Sequence, residues 1–251
     1  MIEKGQISKN LFEHAFEKGK RRTVSDVRIG LGYIGIALDD GRLGLAAVMK
    51  QDFSASCTAL PKAGTLSGQS ASNLLKFIVE SKNPLEKGLG LATANAIVCP
   101  GYSDFEDDAI DVMNLTKNDN VAMVGFFGPL VGKIKATGAT LSIIERNPNR
   151  PGIIDSERQS EILSDATVAI VTATSILNDT VESILEKLTG ARYVTILGPS
   201  TPLCPEVFRD TPVHHLGGSV SLDNKKILQV ISEGGGTPAM RPFLRFINLF
   251  F

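Results

Sequence analysis

The residues of this chain best suited to chemistry stand at the carboxyl ends of four short apolar runs. Gly125, Phe127 and Gly128 follow the run 121–124, and Glu145, Arg146 and Asn147 follow 141–144. Thr172, Thr174, Ser175 and Asn178 lie at the end of 168–172, and Gly198, Pro199, Ser200 and Thr201 follow 193–197. Apolar runs bounded by turn residues read as buried strands, and open α/β sheets bind ligands where such strands end. Hydroxyls, amides and bare glycine backbone at those ends suit a polar or anionic small molecule. The expected ligand wall is therefore Gly125, Phe127, Gly128, Glu145, Arg146, Asn147, Thr172, Asn178, Gly198, Pro199, Ser200 and Thr201. Glu145 would hold a hydroxyl-rich or cationic part of the ligand. The glycine turns and Ser200 and Thr201 would supply donors, and Asn178 would orient a polar group. A plainer reading stands beside this one: Ser, Thr and Asn also cap helices and close turns.

Glu145 lies twenty residues after Gly125, the spacing at which a dinucleotide-binding βαβ unit sets an acid on a ribose hydroxyl. The turn itself departs from that pattern. It reads Gly-Phe-Phe-Gly-Pro, so Phe127 stands where a second glycine would admit a pyrophosphate. A nearer match to the letters, Gly30-Leu31-Gly32-Tyr33-Ile34-Gly35, is a decoy. A strand and a turn follow it rather than a helix, so its glycines read as bulges or close strand approach. Gly234-Gly235-Gly236-Thr237 reads two ways, as an anion-binding nest of N–H groups or as a link to the tail 240–251.

These residues need a scaffold. A helix is expected over 11–18, then a long hairpin over 24–49 turning at Asp40-Gly41, a strong hairpin signal. Helices are expected at 70–80 and 85–97, split by Asn83-Pro84, the second rich in Gly and Ala as where a helix packs closely. An acidic, turn-prone stretch at 99–108 is the expected boundary between domains 1–102 and 103–251. Beyond it, a short helix at 107–115 leads into alternating elements. These are strands at 121–124, 141–144, 168–172 and 193–197, helices opening at 130–136 and 180–188, and a short helical turn ending at Phe208. A last strand at 214–220 and a closing helix at 223–232 complete the series. Repeated βα units imply a parallel sheet covered by helices on both faces. The apolar tail 243–251 needs cover, on its own domain or on a second subunit as a homodimer.

Composition narrows the function classes. Of 251 residues, 43 % are hydrophobic and 21 % charged, with a formal charge of −1. That balance leaves no electrostatic footprint for nucleic acid or an anionic membrane. No apolar stretch approaches the ~20 residues of a membrane span. The opening residues lack a signal-peptide core, and Cys57, Cys99 and Cys204 form no close pair. A cytoplasmic setting is the expectation. Metal ligation has weak support. His214 and His215 are neighbours and point to opposite faces of a strand, and the spacing of Cys204 and Glu206 matches no familiar ligand pattern. A metal site could still assemble across the fold from Cys57, Glu145, Cys204 or a histidine. No GxSxG elbow is present, and no base or nucleophile is nominated.

The strings VAMVGFFGPL, IIERNP, VTATSILNDT, TILGPSTPLCPEVF and ISEGGG, in that order, resemble the putative heavy-metal chelation family, and GLGLATANAI resembles the end of its preceding domain. The likeness covers about residues 85–240. It implies an α/β protein: an α+β, enolase N-terminal-like domain followed by a Rossmann-like domain with a mainly parallel sheet, and a site between them. The leading expectation is a protein that binds a polar small molecule in that cleft and serves heavy-metal chelation or chelator metabolism, the latter by making, modifying or binding a small chelator. Two rivals remain, a group-transfer enzyme using a nucleotide-type cofactor such as S-adenosylmethionine, and a sensor or carrier binding a transition metal through Cys204 or His214.

Overall fold

The computed structural model describes residues 2–49, 58–100, 110–145 and 156–251. Helix α1 (Gln6–Gly19) leads into an antiparallel meander of β1 (Val24–Ile29), β2 (Tyr33–Leu38) and β3 (Leu43–Ala47). The expected hairpin thus has a second turn. At residues 30–32 the chain reverses, and the Gly30 N–H donates to the Tyr33 carbonyl at 2.9 Å. One expected helix becomes two short ones, α2 (Ala71–Leu75) and α3 (Phe77–Glu80), followed by α4 (Pro84–Val98). Pro84 begins α4, and the Asn83 side chain caps it by accepting the Leu85 N–H at 2.8 Å.

The glycines of the meander mark where helices approach it. A Cβ on Gly44 would overlap the backbone of Ala92 and Ala96 in α4. On β2 the strand's two-residue period separates two faces: Ile34 reaches Gly88 of α4, while Gly35 meets Ile231 and Leu228 of a helix from the far end of the chain. That helix is α9 (Asn224–Ser232). Ile227 and Ile231, both 0 % exposed, pack with Leu43 and Leu45 on the face opposite α4. The three-stranded sheet is therefore sandwiched between a helix from each half of the chain. The decoy glycines serve close approach of the strand to α9, and no helix follows them.

The second sheet holds six strands. Between α4 and its first strand, a 3-10 turn at Asp111–Met113 replaces the expected short helix, whose first residues lie outside the described ones. The chain then runs through β4 (Asn120–Val124), α5 (Gly128–Ala136), β5 (Thr140–Ile144), α6 (Ser156–Ser164), β6 (Val168–Thr172), α7 (Thr174–Leu177) and α8 (Val181–Leu185). It continues through β7 (Tyr193–Leu197), a 3-10 turn at Pro205–Phe208, β8 (His215–Ser221), α9, α10 (Thr237–Met240) and β9 (Leu244–Phe250). The strand order is β5-β4-β6-β7-β8-β9, with β4 to β8 mutually parallel. Val168, Ala169, Ile170 and Val171 are all 0 % exposed, as a central parallel strand requires.

The apolar tail takes its cover within the chain, one of the two expected arrangements: β9 pairs antiparallel with β8 along its whole length, from His215↔Phe250 to Ser221↔Leu244. The glycine triplet is not a nest. The Gly234 N–H donates to the Ile231 carbonyl at 3.0 Å and the Gly235 N–H to the Val230 carbonyl at 2.8 Å, so two of its donors close the end of α9. The helix expected over 180–188 is shorter, and α7 precedes it. The expected domain boundary lies outside the described residues. No helix among the described residues is long and apolar enough to cross a membrane.

Candidate functional site

Strand order fixes where a ligand can enter. From β4 the chain moves to one side to form β5, then returns past β4 to form β6. Crossovers to left and right of β4 leave a crevice outside its carboxyl end. Gly125 and Thr172 meet at that crevice. Gly125 has φ +87°, and a Cβ there would come within 2.9 Å of the Thr172 side chain. Only glycine allows both the left-handed turn and the close approach. Its N–H is bound by the Ile144 carbonyl at 2.8 Å, which joins the ends of β4 and β5.

Above these ends lies a cleft of about 1570 Å³, closed on its far side by Tyr33, Val48 and Met49 of the meander. Gly125, Phe127, Gly128, Glu145, Thr172, Asn178, Gly198, Pro199 and Ser200 all line it. Arg146 and Asn147 lie outside the described residues, as does Cys57. Thr201 is 3 % exposed and not part of the wall. Ser200 is committed to structure as well, since its hydroxyl accepts the Ala47 N–H at 2.9 Å. Asn95 of α4 reinforces the junction, its Nδ2 donating to Leu45 O at 2.8 Å and Ser200 O at 2.9 Å. At β6 the hydroxyls bond one another: Thr172 and Thr174 are 3.0 Å apart, and Ser175 donates to the Thr172 carbonyl at 2.7 Å. Asn178 Oδ1 accepts the Thr180 hydroxyl at 2.6 Å.

Several wall residues were not singled out by the sequence. Lys133, Lys187, Arg241 and Arg245 bring four cations to the cleft, against a single carboxylate, Glu145, among the described lining residues. Lys187 Nζ donates to Ser160 at 2.8 Å, and the Arg241 guanidinium lies 5.4 Å from the centre of the Phe246 ring. Tyr33 and Thr237, both on the cleft wall, share a 2.7 Å hydrogen bond, and burial raises the Tyr33 pKa, partly offset by Thr237. Asn248 of β9 also lines the cleft and accepts from His215 Nε2 at 3.0 Å. Burial pushes the His215 pKa down to about 4, against a smaller upward pull from Asn248. The ring is therefore neutral near neutrality: Nδ1 accepts the Thr195 hydroxyl at 2.8 Å, and Nε2 carries the proton.

A bare metal ion does not suit this donor set. The described lining residues include no cysteine and no histidine, and their cations outnumber their one carboxylate. His214 is also spent, its Nδ1 accepting the Val194 N–H at 3.2 Å. Ligands of metal-binding type gather elsewhere. His14 on α1, Cys204 and Glu206 place their ligand atoms within 4.8 Å of one another. Cys204 Sγ donates to Glu206 Oε2 at 3.2 Å, and burial first, then Glu206, pushes the thiol pKa up to about 12.

Comparison with known proteins agrees with this architecture. Residues 108–250 match the DUF364 family and residues 12–98 match DUF4213, both described as putative heavy-metal chelation. The chain is 27 % identical over 165 residues to an uncharacterised protein of Methanocaldococcus jannaschii, a match spanning 62 % of this chain and 63 % of that relative's length. Its fold is similar to the crystal structure of a DUF364 protein of unknown function from Pyrococcus horikoshii, at a TM-score of 0.84 and 20 % identity over 98 % of this chain and 100 % of the other. A DUF364 protein of unknown function from Desulfitobacterium hafniense DCB-2 gives a TM-score of 0.83 and 22 % identity over 98 % of each chain. With more than half its length matched by one family model, the chain belongs to the DUF364 family, described as putative heavy-metal chelation.

Proposed function

We propose that the cleft binds an anionic, hydroxyl-bearing small molecule of the carboxylate-chelator type, and that the protein handles such chelators in metal homeostasis. One observation carries the reading: four cations and a row of hydroxyl and backbone donors face a cleft with one carboxylate and no soft ligand among its described lining residues. Such a wall complements carboxylates, with Arg241 and Arg245 as the fork-shaped partners. The metal would then travel on the chelator, held by the chelator's own donors, which fits a cleft whose described lining residues in this chain offer no ligand cluster. Glu145, at the end of β5, would meet a hydroxyl or ammonium of the ligand.

The test is a thermal-shift screen of the whole chain against tricarboxylates and amino-polycarboxylates, free and metal-loaded. A ligand at 100-fold its dissociation constant stabilises by about 2.7 kcal/mol, a shift of roughly 5–10 °C for a chain of this length. Arg241→Ala and Arg245→Ala should remove most of that shift. If no carboxylate shifts the transition, or both variants respond as the parent does, the reading is wrong.

A second reading, a nucleotide-type cofactor such as S-adenosylmethionine, is supported by Glu145 at the end of β5 beside the crevice. Phe127 opposes a pyrophosphate but not a nucleoside lacking one. In the same screen it predicts a shift with S-adenosylmethionine that Glu145→Ala abolishes.

A further inference from the structure

Helix α1 lies against the 3-10 turn at Pro205–Phe208, and Asn10 Nδ2 donates to the Val207 carbonyl at 3.3 Å. One turn further along α1, His14 faces the start of that 3-10 turn. Cys204 is 3 % exposed, His14 half-buried and Glu206 exposed, so the thiol forms the floor of a small surface site and the other two its rim. The floor is rigid. Pro202 and Pro205 flank the segment, the Cys204 N–H donates to the Pro202 carbonyl at 2.9 Å, and the Val207 N–H donates to the Cys204 carbonyl at 3.1 Å.

Thiol, imidazole and carboxylate within 4.8 Å of one another make a mixed soft and borderline donor set. Around a tetrahedral zinc ion, bond lengths of about 2.0–2.3 Å set neighbouring ligand atoms on the order of 3.5 Å apart. Closing from the present spacing takes about 1 Å of rotation at His14 or Glu206, both on the open rim. A cation already occupies the approach. Lys18, one helical turn after His14, holds its ammonium 3.0 Å from His14 Nε2, where that nitrogen's lone pair receives it. The ammonium's field also reaches Cys204 and Glu206, so all three ligands face one positive charge.

We infer that His14, Cys204 and Glu206 form a three-ligand site for a zinc-class divalent cation, which displaces the Lys18 ammonium and clamps α1 onto the Pro205–Phe208 turn. Binding replaces the thiol proton with a Cys204 S–metal bond. The proton leaves by way of Glu206, which already accepts it, or directly to solvent. A fourth position stays open to water, the pattern of exchangeable rather than closed structural sites. Hard cations such as magnesium and calcium are disfavoured, since they take oxygen donors. None of the three ligands lines the cleft, so the site stands independently of the chelator reading.

The experiment is a cobalt(II) titration of the chelator-stripped whole chain, followed by displacement with zinc(II). One equivalent should produce the near-ultraviolet thiolate-to-cobalt charge-transfer band and intense visible absorption typical of tetrahedral geometry, both lost on adding zinc. Cys204→Ser should abolish the charge-transfer band, and a Cys57→Ser/Cys99→Ser double variant should keep it. His14→Ala and Glu206→Gln should each weaken binding tenfold or more, and Lys18→Ala should tighten it several-fold. His14 and Glu206 sit on the rim, so their variants carry the test even if the buried cysteine tolerates no change. Absence of the band, its survival in Cys204→Ser, or affinity unaffected in both His14→Ala and Glu206→Gln overturns the assignment.

Discussion

Lys87 Nζ lies 2.5 Å from Asp179 Oδ2, an ion pair joining α4 of the first half to the turn between α7 and α8 of the second. Both side chains are largely shielded, at 14 % and 31 % exposure. Asp179 is also one of two described non-glycine residues with positive φ, at 55°. It follows Asn178 on the cleft wall. The pair therefore holds a strained turn in place beside the site.

Substitutions at Asp179 should separate charge from backbone strain. Asp179→Asn keeps a residue tolerant of the left-handed region but removes the charge, and should lower unfolding free energy by about 1 kcal/mol. Asp179→Ala loses that tolerance too and should cost about 1 kcal/mol more. Urea denaturation of both variants reads the difference. Equal losses would show that the turn is not strained.

Asp119 anchors the opposite end of the six-stranded sheet. Arg192 grips it through Nε–Oδ1 at 3.0 Å and Nη2–Oδ2 at 2.9 Å, while Thr116 N–H and the Thr167 hydroxyl donate to it at 2.8 Å each. Arg192's hydrogen bonds, before those of the threonines, hold the carboxyl well below the usual range. A depressed carboxylate pKa contributes stability in full above the unfolded value of about 4 and loses it as pH falls below that. Asp119→Asn should cost roughly 1.5–3 kcal/mol near neutrality and leave ligand shifts in the cleft unchanged. A neutral effect on the urea midpoint would contradict this.

His215 gives a second pH dependence, in a higher window. Its folded pKa of about 4 lies below an unfolded value near 6.5, so the unfolded chain takes up the proton first. Stability is full above pH ~6.5 and falls as pH drops toward ~4. Between pH 7 and pH 5 this one residue should remove on the order of 2 kcal/mol. Denaturation midpoints of the parent and His215→Gln at both pH values measure it: the variant should be less stable at pH 7 yet show a flatter slope. An identical slope would assign the loss to other groups.

How much of this was legible in the chain depended on distance. The βα alternation and the strand ends are local signals, which is why Gly125, Glu145, Thr172 and Gly198 could be named together and do share a wall. Arg241 and Arg245 were missed because the aromatic tail reads as something to be covered. Only pairing with β8, a long-range event, turns it into a strand that carries Arg245 to the cleft, with Arg241 in the 3-10 turn just before it. His14, Cys204 and Glu206 were missed as a set for the same reason, since no spacing rule joins α1 to a turn near the other end of the chain. The glycine triplet failed differently. Free N–H groups looked available until the end of α9 was found to consume two of them.

The meander glycines test the sandwich between α4 and α9. A Cβ on Gly44 would overlap backbone atoms of Ala92 and Ala96, and one on Gly30 would overlap the Ile231 carbonyl. Backbone cannot rotate away as a side-chain end can, so each Ala variant must push a helix off the sheet. Gly44→Ala and Gly30→Ala should each cost about 3 kcal/mol or more, the range of severe overpacking. Gly132 in α5 is the control. It is exposed, has an ordinary helical φ, and nothing lies within 4 Å of a Cβ built on it. Gly132→Ala should stabilise by about 0.5–1 kcal/mol through helix propensity. Thermal melts of the three variants decide the point. If Gly30→Ala melts like the parent, α9 is not seated on the three-stranded sheet, and the two halves of the chain are joined by contacts such as Lys87–Asp179 and Asn95–Ser200 instead.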